Sequence, residues 1–210
     1  MERKHIITLS GKPGSGKSST ADKVAELLSY TRYSSGDIVR AMVRRQGITL
    51  AEFNRLAAAD HSMDHQIDDE LRQLREESDI VIDSRLGFYW IPESFKVYLD
   101  LDIEVATARI FKDSVTNQSR AEETTINTSI GDVQKQVQAR LNAEVRRFRS
   151  LYGINPYDTK HYDLIINTAR HSPQTVSLTV FDTYKKWLKS EEWKQVYSAV
   201  PMGYSFDGSE

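Results

Sequence analysis

One eight-residue segment, at positions 11–18, constrains the fold of this chain more than any other; it reads Gly-Lys-Pro-Gly-Ser-Gly-Lys-Ser. The segment matches the pattern G-x-x-x-x-G-K-[ST], follows an apolar run at residues 5–9 and precedes a helical pattern at residues 19–28. A strand, a glycine-rich loop and a helix in this order point backbone N–H groups at phosphate oxygens. The sequence therefore predicts a site for a nucleoside triphosphate.

Each residue type in this loop has a physical role in holding a triphosphate. Glycines allow the backbone to approach the phosphates because they have no Cβ. The pattern assigns Lys17 to the β- and γ-phosphates and the hydroxyl of Ser18 to Mg²⁺. The ATP-binding residues predicted here are Gly11, Lys12, Pro13, Gly14, Ser15, Gly16, Lys17, Ser18 and Ser19.

Length and charge restrict the classes of protein. The 210 residues suffice for one core with insertions, and the formal net charge of -2 gives no indication of a nucleic-acid or membrane partner. The chain has no cysteine, which excludes disulfides and thiolate metal sites. No apolar run has the length of a membrane span or a secretory signal. We expect a monomeric, cytoplasmic protein with small-molecule partners.

Strand-like and helical patterns alternate along the chain. The strand-like runs lie at residues 5–9, 79–83, 95–100 and 162–166, with a weaker one at 31–34. This alternation predicts an α/β fold in which helices cover both faces of a five-stranded parallel sheet. In such sheets nucleotides bind at the carboxyl ends of the strands.

Two helical insertions and a tail complete the predicted domain, which spans residues 1–189. The first insertion, at about 36–78, contains a capping box at Thr49 to Glu52 and is interpreted as a flap over a second substrate. The second, at about 112–150, combines a polar stretch with a long helical pattern and is interpreted as a lid. Residues 190–210 are expected to be a surface extension without an assignable role, partly disordered beyond Pro201.

Further motifs follow the loop in a recognisable order. The motifs are Ser35-Gly36-Asp37-Ile38-Val39-Arg40, the acidic Asp64 and Asp68, Ser84-Arg85-Leu86-Gly87, Arg140-x-x-x-Glu144-x-x-Arg147, Tyr152-Gly153-Ile154 and Tyr162-Asp163-Leu164-Ile165-Ile166-Asn167-Thr168. Together they resemble the nucleoside monophosphate kinases and, among these, the compact branch of the cytidylate kinases, from about residue 5 to 189.

The resemblance implies a P-loop kinase with strand order 2-3-1-4-5, which uses ATP and Mg²⁺ to convert CMP or dCMP to CDP or dCDP. Two departures are visible. Asp83-Ser84-Arg85 stands where the family usually has Glu-Gly-Arg, and the lid insertion is longer than the compact pattern. Adenylate kinases have Asp-Gly-Phe-Pro-Arg after this strand, a sequence that the chain lacks.

Arginines are the expected ligands of the acceptor phosphate. A nucleotide phosphate has a second pKa of about 6, so its oxygen is already anionic at neutral pH and needs no general base. Arg40 and Arg85 are candidates for bidentate capture, with a structural salt bridge as the alternative. Arg140, Glu144 and Arg147 are spaced to share one helical face, with the two arginines flanking the carboxylate; a surface salt-bridge stripe is the alternative. The predicted catalytic residues are Lys17, Arg85, Arg140 and Arg147.

The other assignments have less support in the sequence. Asp83, at a strand end, is predicted to hold Mg²⁺ directly or through water, with a capping role as the alternative. Ser35, Asp64 and Asp68 are candidates to accept from the cytosine amino group, and a solvated acidic face competes with this interpretation. The resemblance places Asp37 in the monophosphate site and Arg109 near the adenine, and Arg120 is a lid candidate. His61 and His65 have metal-ligand spacing but no supporting ligands.

Two other functions remain open. One is another P-loop small-molecule kinase, similar to adenylate or shikimate kinase, in which Asp37 would act as a general base toward an alcohol. The other is a non-catalytic nucleotide-binding module. A GTPase is disfavoured because the chain lacks Asn-Lys-x-Asp and a correctly spaced Asp-x-x-Gly.

Overall fold

A computed structural model describes residues 3–49, 62–116 and 129–198, together with residues 52, 53 and 56. Its strands form one parallel sheet, flanked by helices. The strands are β1 (Ile6–Gly11), β2 (Thr31–Ser34), β3 (Ile80–Asp83), β4 (Phe95–Asp100), β5 (Leu164–Asn167) and β6 (Val196–Ser198). The helices are α1 (Lys17–Leu28), α2 (Ser35–Gln46), α3 (Ser62–Gln73), α4 (Gly87–Trp90), α5 (Ile103–Thr116), α6 (Ile130–Tyr152) and α7 (Pro173–Lys189), with 3₁₀ turns at Leu74–Glu76 and Thr159–His161.

Successive side chains of each strand point to opposite faces of the sheet, and helices pack on both faces. On one face, Ile7 and Leu9 of β1 pack with buried residues of α1 and α7. On the other face, Ile6 packs with Leu71 of α3, while Tyr98 of β4 packs with Phe148 of α6. These contacts produce the three layers that the alternating pattern predicts, and the α/β fold class is confirmed.

The strand order differs from the prediction at one edge. The order is β2-β3-β1-β4-β5-β6, so the predicted 2-3-1-4-5 is confirmed for five strands, but the prediction of five strands in all was wrong. Val196–Ser198 pairs in parallel with Leu164–Ile166 of β5. Three residues are too few for an alternating pattern to show in a sequence, which is why β6 was not recognised.

The segment before β6 packs against the core through Trp193, a contact that the expected surface extension did not include. The indole of Trp193 packs against Phe95, and its N–H donates to the carbonyl of Asp163 at 3.2 Å. The amide of Gln195 donates to the carbonyls of Thr159 and Tyr162 at 2.6 and 2.7 Å. Residues 199–210 lie outside the described residues, as does the predicted disorder beyond Pro201.

Capping boxes occur in both predicted insertions. Thr49 and Glu52 exchange the hydrogen bonds of the predicted capping box, with Thr49 N donating to Glu52 at 2.8 Å. Helix α6 begins with a second capping box, formed by Ser129 and Asp132. The polar lid stretch at 117–128 lies outside the described residues, and the flap and lid boundaries stay predictions. None of the described helices is long and apolar enough to cross a bilayer.

Trp193 tests whether the last described segment stabilises the domain. Because its half-buried indole fills a site on the main core, Trp193→Ala should lower the free energy of unfolding by about 2 kcal/mol. Urea denaturation followed by circular dichroism measures the loss. The exposed neighbour Lys194→Ala is the control and should change it by less than about 0.5 kcal/mol. Equal effects of the two variants would contradict the packing role.

Candidate active site

The loop between β1 and α1 has the backbone geometry that its glycines predict. Gly14 and Gly16 have φ values of 74° and 80°, a region that residues with a Cβ rarely adopt. A Cβ on Gly11 would lie 2.6 Å from the carbonyl oxygen of Leu99. Substitution at any of these three positions would therefore deform the loop.

The start of α1 is suited to an anion. Its first turn contains no acidic residue, and no side chain caps its N–H groups. Beside it, the hydroxyl of Ser15 is buried without a hydrogen-bond partner among the described residues. Unfilled donors at the positive end of a helix dipole fit a phosphate group. Of the other predicted loop residues, Lys12 pairs with Asp100 at 2.7 Å, Pro13 is half-buried and Ser19 is exposed.

A buried carboxylate adjoins the loop. Asp83 ends β3, which pairs with β1, and it is 1% exposed. Lys17 Nζ donates to its Oδ1, and Ser18 Oγ donates to its Oδ2 at 2.6 Å. Arg32 donates to the same Oδ2 at 3.2 Å. The structure thus brings together the predicted Lys17, Ser18 and Asp83, and it adds Arg32.

The donor set at Asp83 fits Mg²⁺. Carboxylate and hydroxyl oxygens are the ligands that this cation prefers, and it usually takes its other ligands from phosphates and water. The described residues contain no group of three or more His, Asp or Glu side chains arranged to hold a metal alone, so a shared site at Ser18 and Asp83 suits the residues present. His65 is exposed, and His61 lies outside the described residues.

Lys17 lies in surroundings that favour added negative charge. Burial lowers its pKa most, and the charges of Arg85, Arg140 and Arg32 lower it further, while Glu144 opposes them. A phosphate placed beside Lys17 would relieve this concentration of positive charge.

Arg85 belongs to a second cluster, centred on Glu144. Its Nε lies 2.5 Å from Glu144 Oε2, and Arg140 Nε donates to Oε1 at 3.1 Å. The hydroxyl of Tyr157 donates to Glu144 and lies 3.3 Å from Arg85 Nε. Burial raises the pKa of Glu144, but the charges of Arg85 and Arg140 outweigh it, so that the pKa is lowered. Glu144 therefore holds the two guanidinium groups in place as an ionised carboxylate.

The predicted pairing along α6 needs one correction. Arg140 and Arg147 were expected to flank Glu144 together, but Arg147 Nε faces Asp64 of α3 at 3.8 Å instead. The second arginine at Glu144 is Arg85, from the loop after β3. Side-chain spacing places residues on one face of a helix, but the neighbouring elements determine which partner each side chain meets.

The two acidic residues of α3 are buried, so the solvated acidic face considered for them is wrong. Asp64 is 5% exposed and Asp68 is 3% exposed. Asp68 accepts from the indole N–H of Trp90 at 2.9 Å and from the hydroxyl of Tyr152. Burial raises the pKa of Asp68. Both its oxygens thus accept hydrogen bonds from aromatic side chains of other elements.

The start of α2 holds the remaining flap candidates. Asp37 accepts from Arg40 at 2.6 Å and from Arg32 at 2.9 Å. The hydrogen bond from Arg40 contributes most to a lowered pKa of Asp37. Arg40 is about half exposed, so its guanidinium is accessible to a ligand. Ser35 Oγ donates to the backbone carbonyl of Asp83 at 3.4 Å and so adjoins the same site.

Arg109 braces the phosphate loop against the end of β5. It donates to the carbonyl of Gly14 at 3.3 Å and to those of Thr168 and Ala169 at 2.6 and 3.1 Å. These bonds place Arg109 beside the phosphate loop, and its expected position near the adenine stays a prediction. Arg120 lies outside the described residues.

Comparisons with known proteins agree with this geometry. A model of the cytidylate kinase-like family matches residues 6–170. A cytidylate kinase of Halobacterium salinarum is 37% identical over 182 residues, which cover 84% of this chain and 88% of the relative. One of Natronomonas pharaonis is 35% identical and covers 83% and 86%. The chain belongs to the cytidylate kinase-like family.

Membership of the cytidylate kinase-like family confirms the resemblance indicated by the motifs, and it confirms that the chain is a kinase.

The fold is also found in more distant proteins. A shikimate kinase from Bacteroides thetaiotaomicron superposes with a TM-score of 0.59 at 13% identity, covering 88% of this chain and 98% of that one. At such low identity the likeness supports the P-loop kinase fold alone.

Two residues of this kinase site were missed in the sequence. Arg32 lies in the weakly patterned β2, and an arginine in a short strand is usually solvated. Tyr157 lies in a loop outside any periodic pattern. The single available signal was the position of Arg32 three residues before Ser35, close to a motif already assigned to the acceptor.

Glu144→Gln tests the role of this partly buried carboxylate. The substitution leaves Arg85 without its counter-charge and should lower the free energy of unfolding at pH 7 by about 2 kcal/mol, the range of a charged hydrogen bond. The folded pKa of Glu144 is lowered, so its stabilising effect is complete above its ordinary pKa of about 4.3 and is lost as the pH falls through the folded value. Urea unfolding between pH 3 and 8 measures both effects.

The exposed Glu70→Gln is the control and should match the wild type throughout this range. A constant difference between the wild type and Glu144→Gln at every pH would contradict an ionised Glu144 as the source of the stability.

Proposed function

We propose that this protein transfers the γ-phosphate of ATP to CMP or dCMP, producing ADP and CDP or dCDP. The observation that carries the proposal is the turn after β3, which joins the donor loop to the second cluster. Asp83 pairs with Lys17 of the donor loop, and Arg85, two residues later, pairs with Glu144 of the second cluster. Two phosphate-binding groups joined by one short turn suit a donor and an acceptor that meet between them.

The residues divide into donor and acceptor groups. The loop N–H groups, Lys17 and the start of α1 bind the triphosphate, and Arg109 supports the loop from behind. Ser18 and Asp83 would hold Mg²⁺, which supplies neutralisation of charge on the phosphates when bound. Arg85, Arg140 and the accessible Arg40 bind the acceptor phosphate, with Arg147 as a further candidate, since guanidinium groups match phosphate oxygens.

No general base is needed for this transfer. The acceptor oxygen is anionic at neutral pH, and the site contributes positioning and positive charge. Asp37 is a poor base, because Arg40 and Arg32 stabilise its charged form. This argues against the alternative of an alcohol kinase that relies on Asp37.

The preference for cytosine rests on the family. The curated relatives are named cytidylate kinases. Asp64, Ser35 and Asp68 are the candidates for reading the amino group of the base. As part of the same proposal, the enzyme acts as a monomer, because both groups of residues come from one chain, and it acts in the cytoplasm, where these nucleotides occur.

An acceptor panel tests the proposal. With ATP and Mg²⁺, CMP and dCMP should be converted more efficiently than AMP, GMP or shikimate, measured as ADP formation in a coupled assay. ATP binding without transfer to any monophosphate would instead favour a non-catalytic module, and faster use of shikimate would favour the alcohol kinase.

Two substitutions separate the donor from the acceptor group. Lys17→Ala should lower kcat by about 10²–10³-fold, because it removes positive charge from the transferring phosphate. Arg85→Ala should raise KM for CMP much more than KM for ATP. Steady-state kinetics measure both, with exposed Arg146→Ala as the control of unchanged rate. Equal changes in the two KM values for Arg85→Ala would contradict its acceptor role.

A further inference from the structure

Arg32 is the one guanidinium in the described residues with ion pairs to three carboxylates. Its NH2 lies 3.2 Å from Asp83, its NH1 lies 2.9 Å from Asp37, and its Nε lies 2.9 Å from Asp22. These partners belong to β3, α2 and α1, whereas Arg32 lies in β2. NH1 and NH2 donate hydrogen bonds to Asp37 and Asp83, whereas Nε faces Asp22 without a hydrogen bond to any described residue. A planar guanidinium can span partners in this way, and a lysine ammonium cannot match its geometry.

The three carboxylates differ in their need for Arg32. The side chains of Asp22 and Asp37 are 61% and 54% exposed, so water solvates them. Asp83 is 1% exposed, and among the described residues its Oδ2 accepts from Ser18 and Arg32. Arg32 therefore supplies charge and orientation mainly to the carboxylate assigned to Mg²⁺.

Arg32 also connects two ends of the site. Arg40, the exposed acceptor candidate, pairs with Asp37 at 2.6 Å, and Asp37 pairs with Arg32. A continuous series of ion pairs thus runs from Arg40 of α2 through Asp37 and Arg32 to Asp83. Asp37 and Asp83 can lie on either side of the Arg32 guanidinium because its positive charge offsets the repulsion between the two carboxylates.

We propose that Arg32 is a positioning residue that orients Asp83 for Mg²⁺ and couples binding of the acceptor at α2 to binding of Mg²⁺ and ATP at the phosphate loop. The coupling to the acceptor rests on the proposed function, but the orientation of Asp83 does not. Without Arg32, Asp83 loses a fixed donor, and α2 loses its ion pair with the donor site.

Binding measurements on Arg32→Ala test this proposal. Isothermal titration calorimetry gives the affinity for a non-hydrolysable ATP analogue in Mg²⁺ and in EDTA. We expect Arg32→Ala to weaken binding in Mg²⁺ by about tenfold and binding in EDTA by less than threefold. We also expect the factor by which the Mg²⁺-bound analogue strengthens CMP binding to fall toward one, since coupling between two ligands is reciprocal.

Three further variants separate positioning from simple stabilisation. Arg32→Lys should recover thermal stability but not the Mg²⁺-dependent affinity. Asp22 lies outside the series of ion pairs from Arg40 to Asp83. Asp22→Asn should therefore leave unchanged both the ratio of affinities in Mg²⁺ and EDTA and the strengthening of CMP binding by the analogue. Arg45→Ala, an exposed arginine at the end of α2, is the matched control for loss of a charge.

The outcomes separate a failure of the role proposed for Arg32 from a failure of the proposed kinase activity toward CMP. If Arg32→Ala lowers the melting temperature but keeps the wild-type ratio of affinities in Mg²⁺ and EDTA, Arg32 is only structural and the proposal is overturned. If the wild type fails to phosphorylate CMP, the proposed function fails and the coupling to CMP with it, while the ratio in Mg²⁺ and EDTA still decides the role of Arg32 toward Asp83.

Discussion

A negative charge with almost no contact with water, at the end of β3, determines how the donor side of this site is built. A carboxylate as buried as Asp83 is stable only with charged or hydrogen-bonding partners. Those partners are Lys17 and Ser18, at the start of α1, and Arg32, in β2. Because they approach from separate elements, one buried charge fixes the phosphate loop and two strands relative to one another.

The short segment after β3 extends this order to the acceptor side. Asp83 faces the phosphate loop, and Arg85, two residues later, faces Glu144 of α6. Two oppositely charged residues on one turn thus serve two different clusters. A shift of this turn would change both clusters together, so the distance between donor and acceptor groups depends on a few residues at the end of a strand whose neighbours hold it on both sides.

The sequence allowed the donor side to be predicted because parallel strands share one carboxyl edge, which brings Asp83 and the phosphate loop together. It did not reveal Arg32, since nothing in a four-residue strand shows which side chains meet buried charges. The spacing of Arg140, Glu144 and Arg147 predicted a shared face, but the residues packed opposite determine that Arg147 meets Asp64. The edge strand β6 has 3 residues, fewer than the run of about four to eight over which alternation can be recognised.

The two cations at Asp83 differ in how firmly they are held, and this difference assigns them different roles. Lys17 is a single charge on a flexible stem, and Asp83 is its one ion-pair partner among the described residues. Arg32 also donates to Asp37. A flexible ammonium can exchange a carboxylate for a phosphate oxygen at little cost, whereas a guanidinium bonded to two carboxylates would lose both hydrogen bonds by moving. Lys17 is therefore suited to follow the transferring phosphate, and Arg32 to keep Asp83 in place while it does so.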